Sequence, residues 1–333
     1  MKIFEFIRPT NSAAAIRTAA QAKTAQQGAE VRFIAGGTTL VDLMKLNVET
    51  PSHVLDINRL SLDKIEITPE GGLKIGATAR NSTLASHPAV RRDYSVLSQA
   101  ILNGASAQLR NMATTAGNLL QRTRCMYFRD PAMPCNKREP GTGCPAISGS
   151  NRMLAVLGTS EFCIATNPSD MCVAMAALEA TIHVQGEKGS RAIAFKDFHL
   201  LPGNTPQRET VLEPGDLVTH VTLPPPIIGS KQVYLKLRDR ASYEFALASA
   251  AVVINVTGQN ITRARIALGG IGTKPWRSPE AEAVLVGHPA DKANFRKAAE
   301  AALRDAKPQS ENGFKIELAK RCLTHALQTA MTT

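Results

Sequence analysis

The chain is 333 residues long, 44% apolar and 20% charged, ordinary values for a globular protein with room for two or three separate cores. Aromatic residues make up only 5%, and no nucleic-acid-reading motif accompanies the net charge of +11, which argues against nucleic acid as the partner of that charge. No apolar run approaches the roughly eighteen residues of a membrane span, and the start, MKIFEFIRPT, lacks the pattern of a secretory signal; neither membrane insertion nor self-directed export is expected.

Taken in order, Asn11 or Ser12 is placed to cap a helix through SAAAIRTAAQAKTAQQ that ends at Gly28, and VRFIA follows as a short buried strand. Next comes GGTTLVDLMKLN. A strand that ends in Gly36 and Gly37 and turns directly into a helix opened by Thr38 and Thr39 leaves free N–H groups and no side chains in the way, which is how a phosphate is cradled. A plain strand-to-helix turn can carry the same letters. Asp42, one turn in, reinforces the helix start. From Pro51 the period becomes alternating, and HVLDI, DKIEIT and LKIGA read as a strand and a hairpin of one mixed sheet. NSTLASH and PAVRRDYSVLSQAILNG are helical, the second running from Pro88 to Gly104. In RNMATTAGNLLQ a second glycine turn brings Thr114, Thr115, Gly117 and Asn118, with hydroxyl, amide and backbone donors for a polar ligand. A third turn, NPSD, sets Ser169 and Asp170 at a helix start.

Between the second and third turns lies a cysteine-rich loop. Cys125, Cys135 and Cys144 sit in Gly-, Pro- and Arg-rich sequence, and Cys163 follows MLAVLG, which reads as a strand carrying the chain back. The spacings of ten, nine and nineteen positions contain no close ligand pair of the kind that builds most structural zinc sites. They fit a wide loop around an iron–sulfur cluster, with zinc and unligated thiols as the other readings. Cys172 and Cys322 lie in apolar helices and read as packing residues. Arg110, Arg122, Arg124, Arg129, Lys137, Arg138 and Arg152 flank the loop. They are expected to form a basic rim that offsets thiolate charge and steers an acidic redox partner over a Debye length of about 8 Å, a solvated basic surface being the other reading.

Further on come TIHVQ, RAIAFKDF and DLVTHVTLPPP, whose three prolines read as the link to a last unit. There the strands QVYLKLRD, ALASAAVVINV and RARIALGG precede helices in SPEAEAVLVG, KANFRKAAEAALRDA and KIELAKRCLTHALQTA, an open sheet with helices on one side. The seven histidines are scattered without HxH or HxxxH pairing, and no Ser-His-Asp set is evident, so neither a histidine metal site nor hydrolysis is expected.

Three small-polar turns spread over positions 34 to 170 suggest one long phosphorylated ligand, of which a dinucleotide is the natural size, yet the GxGxxG fingerprint is missing. The combination FIAGGTTLVDLMK, TTAGN and NPSD resembles the FAD-binding subunits of molybdenum hydroxylases, the xanthine dehydrogenase family. The cysteine loop, with YLKLRDRASYEFAL and IALGGIGTKPWR, resembles more narrowly the FAD subunits of periplasmic aldehyde oxidoreductases, which carry an extra [4Fe-4S] cluster in such a loop.

The resemblance implies an α+β fold: a two-part FAD-binding domain of the vanillyl-alcohol-oxidase type, residues 1–57 and 58–226, with the iron–sulfur loop at about 122–165, then a C-terminal α+β domain of the CO-dehydrogenase flavoprotein type over 230–333. It implies FAD held by Ile34, Ala35, Gly36, Gly37, Thr38, Thr39 and Leu40, of which Gly36, Gly37 and Thr38 face the pyrophosphate. Thr114, Thr115, Gly117 and Asn118 form the second contact, and Ser169 and Asp170 the third, with Asp170 on a hydroxyl or ring edge of the flavin nucleotide. Lys236 is the flavin contact expected from the last domain; an exposed strand face is the other reading for Lys236, Arg238 and Arg240. Cys125, Cys135, Cys144 and Cys163 are the implied [4Fe-4S] ligands. The implied role is electron exit from partner [2Fe-2S] centres to an external acceptor, ferredoxin-like, quinone or oxygen. The molybdenum cofactor lies on another subunit and no catalytic residue on this one. The compartment is the periplasm if a signal-bearing partner co-exports the chain, and otherwise the cytoplasm. The alternative is a zinc-stapled, non-redox docking module.

Overall fold

In the computed structural model, which describes residues 1–332, the chain builds three sheets. Glu5–Ile7, Val31–Ile34 and His53–Asp56 form a small parallel sheet with His53–Asp56 at its centre. The hairpin Ile65–Ile67 and Leu73–Gly76 belongs to a separate antiparallel sheet with Leu217–Leu223, Thr181–Gly186 and Gly189–Ala194. The expectation of one mixed sheet is therefore corrected. Alternation reveals which face of a strand is buried but not which strand it pairs with.

Helix lengths are overridden by tertiary anchors in two places. Asn11 caps the first helix, its side chain accepting from Ala14 N at 2.9 Å, but the helix ends at Ala20 rather than running to Gly28. Beyond it, Thr24 Oγ1 accepts from Gln26 N, and the Gln26 amide donates to Thr210 O at 3.1 Å and Leu212 O at 2.7 Å. Those local and long-range bonds replace the next helical turn. The segment from Pro88 splits at Tyr94 into Pro88–Asp93 and Ser95–Asn103, where the buried Tyr94 ring lets its hydroxyl donate to Pro224 O at 2.7 Å. MLAVLG is not a strand. Val156 N and Leu157 N both donate to Ile271 O, with a single bridge from Leu157 to Gly272, so its apolar run reports burial rather than a ladder.

The C-terminal sheet runs Trp276–Arg277, Asn260–Gly269, Ala248–Thr257, Lys231–Leu237, all antiparallel. Only the two-residue edge strand lacked a sequence signal. Pro279–Leu285, Lys292–Ala302 and Phe314–Thr332 cover one face, as the open-sheet reading anticipates. The other face is covered too, by Ser95–Asn103 and Asp170–Ala177 of the preceding domain. Ala250, Val252 and Ile254 join the core under the C-terminal helices, whereas Ala251 and Val253 join the core of the larger domain. Burial on both faces explains why this strand reads as an unbroken apolar run. It also explains why every residue of Asp170–Ala177 is buried.

The start of the last helix fixes the segment that leaves the cysteine loop. Lys315, fully buried, donates to Met153 O and Leu154 O at 3.0 Å each and to Gly270 O at 2.6 Å. Asn312 donates to Ala155 O at 3.2 Å. Burial pushes the Lys315 ammonium down to about 7, and the three carbonyl dipoles are its only compensation. Replacing Lys315 by Met strips these carbonyls of a charged donor and is expected to cost about 1.5–3 kcal/mol. Urea unfolding measures it; an unchanged midpoint would mean that the carbonyls find other partners.

Candidate functional site

The first turn links the strand Val31–Ile34 to the helix Leu40–Lys45. Gly37 has φ +73°, and at Gly36 a Cβ would collide with the Met112 carbonyl oxygen. The double glycine is thus required twice, once by a left-handed backbone and once by close approach to the chain entering the second turn. In that second turn Thr114 caps Thr115–Leu119, its Oγ1 accepting from Gly117 N at 3.3 Å. Thr115 faces inward instead: it is fully buried and donates to Ala79 O at 3.2 Å. Ser169 caps Asp170–Ala177 by accepting from Cys172 N at 3.0 Å, and its hydroxyl donates to Asn118 Oδ1 at 2.8 Å, joining the third turn to the second.

Two cavities meet at these turns. One, of about 240 Å³, is lined by residues 34–40, Thr114 and Gly117, and further along by Arg122, Lys137, Cys163, His199 and Glu209. The other, of about 560 Å³, is lined by Thr38, Thr39, Gly117, Asn118, Asp170 and Lys236. Thr38, Thr39 and Gly117 belong to both. Asp170 and Lys236 do reach this space, but as a clasp between domains. Asp170 Oδ1 accepts from Tyr234 Oη at 2.5 Å and Oδ2 from Lys236 Nζ at 2.8 Å. Lys236 also donates to Asn103 O at 3.0 Å, and its side chain is 1% exposed. An exposed strand face is thus excluded for Lys236, because the larger domain covers it, whereas Arg240 stays exposed and donates to Tyr243 O at 2.6 Å.

The expected basic rim is corrected in part: most of its charges are paired or donate to carbonyls within the fold, while Arg152 stays exposed. Arg122 pairs with Glu49 and Glu209, and Lys137 with Glu209 at 3.0 Å and the Pro206 carbonyl at 2.9 Å. Arg129 pairs with Asp42 at 2.9 Å and Arg152 with Asp239 at 2.7 Å. Arg138 donates to the Tyr127 and Phe128 carbonyls, and Arg110 to Gly104 O. Burial opposes the Glu209 charge, yet Arg122 and Lys137 hold its carboxyl down at about 2.

Two buried atoms facing this region have no partner. His199 Nε2 meets Leu119 O at 3.0 Å, so Nε2 carries the proton and Nδ1 is a bare lone pair. Burial pushes this imidazole down to about 4, which keeps it neutral. Arg122 Nη2 is the orphaned donor. Both residues line the 240 Å³ cavity, and an unpaired buried donor and acceptor beside a glycine cradle fit a polar, phosphorylated ligand such as FAD. Sequence reasoning listed Arg122 only as a surface charge and missed His199, Glu49 and Glu209, which carry no local motif.

Cys125, Cys135 and Cys163 are buried and Cys144 is half-buried; the four line one small cavity with Phe128, Asn136 and Lys137. Asn136 ties the loop together, accepting from Gly141 N at 3.1 Å and Gly143 N at 2.8 Å and donating to Phe162 O at 3.1 Å. Among the described residues, no three His, Cys, Asp or Glu side chains are gathered to hold a metal ion. Burial pushes the Cys125 thiol up to about 12, so any ligation there releases a proton. Cys172 and Cys322 are buried in other clusters, as their helical context predicts.

Gly36→Ala must push the first turn away from Met112. The expected outcome is purified protein with less than a tenth of the wild-type flavin content and a circular dichroism spectrum close to wild type. Full flavin content would mean that the close approach is structural only.

Two family models cover almost the whole chain: the FAD binding domain in molybdopterin dehydrogenase over residues 2–226 and the CO dehydrogenase flavoprotein C-terminal domain over residues 233–330. The aldehyde oxidoreductase FAD-binding subunit PaoB of Escherichia coli (strain K12) is 52% identical, covering 99% of both chains. The carbon monoxide dehydrogenase medium chain of Afipia carboxidovorans is 26% identical, covering 98% of this chain and 96% of its own. Among solved structures, reconstituted CO dehydrogenase from Oligotropha carboxidovorans superposes with a TM-score of 0.78 at 25% identity, covering 100% of this chain and 99% of that one. The chain is a member of the family of FAD-binding subunits of molybdenum hydroxylases, and with it an oxidoreductase subunit.

Proposed function

We propose that this chain is the FAD- and [4Fe-4S]-carrying electron-transfer subunit of a molybdenum-dependent aldehyde oxidoreductase. It takes electrons from the [2Fe-2S] subunit of its complex and passes them to an external acceptor: a ferredoxin-like protein, a quinone or oxygen. The substrate site lies on the molybdenum-cofactor subunit. The aldehyde class rests on 52% identity, over nearly full length, to a relative named as an aldehyde oxidoreductase subunit. The observation that carries the cluster is the convergence of four loop thiols on one cavity beside the candidate flavin site.

Gly36, Gly37, Thr38 and Thr39 would hold the FAD pyrophosphate at the start of a helix that places partial positive charge there. Because Thr38, Thr39 and Gly117 edge both cavities, a dinucleotide lying across them occupies one with each half. The orphaned Arg122 Nη2 and His199 Nδ1 supply a donor and an acceptor to it. Asp170, Ser169 and Asn118 are held by their own hydrogen bonds, so the walls are rigid. When bound, the flavin supplies conversion between one- and two-electron steps. Four thiols spread around one cavity, rather than drawn to a point, suit a cube of iron and sulfide whose ligands radiate from its corners. Zinc gathers its ligands around a single ion. The compartment we favour is the periplasm, reached folded alongside a signal-bearing partner.

Iron and sulfide analysis tests the cluster. Serine at Cys125, Cys135, Cys144 or Cys163 should each remove one [4Fe-4S] equivalent, and serine at Cys172 or Cys322 none; loss with Cys172→Ser but not Cys163→Ser would overturn the ligand set. A protein without visible iron–sulfur absorbance but containing zinc would instead support the docking module. In the assembled complex, flavin depletion should leave substrate able to bleach the partner centres in a rapid-mixing experiment while turnover with the external acceptor falls. Simultaneous loss of both would place this chain in the substrate chemistry.

A further inference from the structure

The two candidate cofactor sites share a wall. Lys137, Cys163 and Ala165 line the four-thiol cavity on one side and the 240 Å³ cavity on the other. Through this wall runs a chain of buried charges. Lys137, two positions after Cys135, donates to Glu209 at 3.0 Å. Glu209 pairs with Arg122, and Arg122 with Glu49, and Arg122 donates to Gln27 at 2.6 Å. Glu49 pairs with Arg32 at 2.9 Å. The guanidinium of Arg122 also lies over the Phe128 ring at 4.7 Å, and Phe128 packs in the cluster formed by the loop cysteines.

Three parts of the chain thus meet in one ionic strut: the first subdomain through Gln27, Arg32 and Glu49, the second through Arg122 and Glu209, and the cysteine loop through Lys137. Charges this deeply placed keep their positions only while each has its partner, because a buried ion whose counter-ion leaves must be resolvated or must move. The position of Lys137 is set in turn by the loop around it. Its neighbour Asn136 gathers Gly141 and Gly143, and Cys135, one of the four thiols, lies two positions before it.

We propose that the Lys137–Glu209–Arg122 strut makes occupation of the cysteine loop and retention of FAD mutually dependent, with Lys137 as a positioning residue that transmits the state of the loop to Arg122. The inference rests on the FAD and [4Fe-4S] assignments above and adds a coupling between them. Such a coupling is reciprocal: whatever the cluster adds to flavin affinity, the flavin adds to cluster retention.

The test is a double-mutant cycle on the full chain, with FAD release followed by its fluorescence and iron measured on the same samples. Cys144→Ser is expected to lose the cluster and release FAD at least fivefold faster. Lys137→Met is expected to keep its iron and still release FAD at a similarly raised rate. In the double variant the second change should add less than twofold, since both cut one connection. Wild-type protein stripped of its cluster with ferricyanide and a chelator should match Cys144→Ser, which gives the same readout without relying on a variant that folds. FAD release unchanged within twofold after loss of the cluster, or effects of Lys137→Met and Cys144→Ser that multiply, would overturn the coupling. Iron retained in Cys144→Ser, or no FAD in the wild type, would remove the proposal together with the assignment beneath it.

Discussion

A buried carboxylate clasps the two domains together. Asp170 accepts from Tyr234 and Lys236 on the edge strand of the C-terminal sheet, and it does so from the first residue of a helix that has no exposed face. The helix N-terminus favours the negative charge, and Lys236 compensates it where water does not reach. An uncompensated charge at this depth would cost about 3–5 kcal/mol, so the clasp forms only in one relative placement of the domains. Around it Ala251 and Val253 meet the larger domain through small apolar contacts, and further directional contacts cross the same interface, among them Tyr234 N donating to Gln99 Oε1 at 2.8 Å and the Arg277–Glu179 pair at 3.1 Å. The apolar burial supplies the driving force, and the buried ion pair together with these bonds supplies the register. Because Asp170 follows Ser169 directly, the same placement fixes the third turn of the candidate flavin site.

The elements with strong local signals were legible in the sequence. The three C-terminal helices, the hairpin at 65–76 and the strands Ala248–Thr257 and Asn260–Gly269 follow from periodicity alone, and the glycine, TTAGN and NPSD turns could be recognised as turns. What periodicity does not encode is the partner. It placed His53–Asp56 beside the wrong strands, made a strand of MLAVLG, and left one face of the C-terminal sheet bare. In each case the missing information was a long-range contact: a parallel crossover, two bonds to Ile271, and two helices from another domain. For the candidate site the same division holds. Gly36 and Gly37 stood out because backbone geometry restricts them, whereas His199 and Glu209 carry no local constraint and matter only through what folding sets beside them.

The basic residues teach a related lesson about charge. Seven cations flank the cysteine loop, and their clustering in sequence suggested a field directed at a partner. In the fold Arg122, Arg129, Lys137 and Arg152 each have a carboxylate, drawn from positions as distant as Glu49 and Asp239. Loops without a regular ladder must still satisfy their backbone, and Arg138 and Arg110 do this by donating to carbonyls. Basic residues in this loop therefore act first as internal connectors. The overall charge of +11 is then a property of the whole surface rather than of one rim.

The position of the cysteine loop follows from the geometry of the turns on either side. Asn118 and Ser169 are 51 positions apart in sequence yet share a hydrogen bond of 2.8 Å. The excursion between them thus starts and ends at one point. Lengthening a loop whose ends are already closed costs little, since closure entropy grows only logarithmically with length. An insertion here can carry four cysteines without disturbing the register of the second and third turns. It returns the chain beside the first turn, because Cys163 and Thr38 line the same cavity. The constraint that keeps the two turns together for one ligand is therefore also what allows a second cofactor-sized cavity to be added next to it.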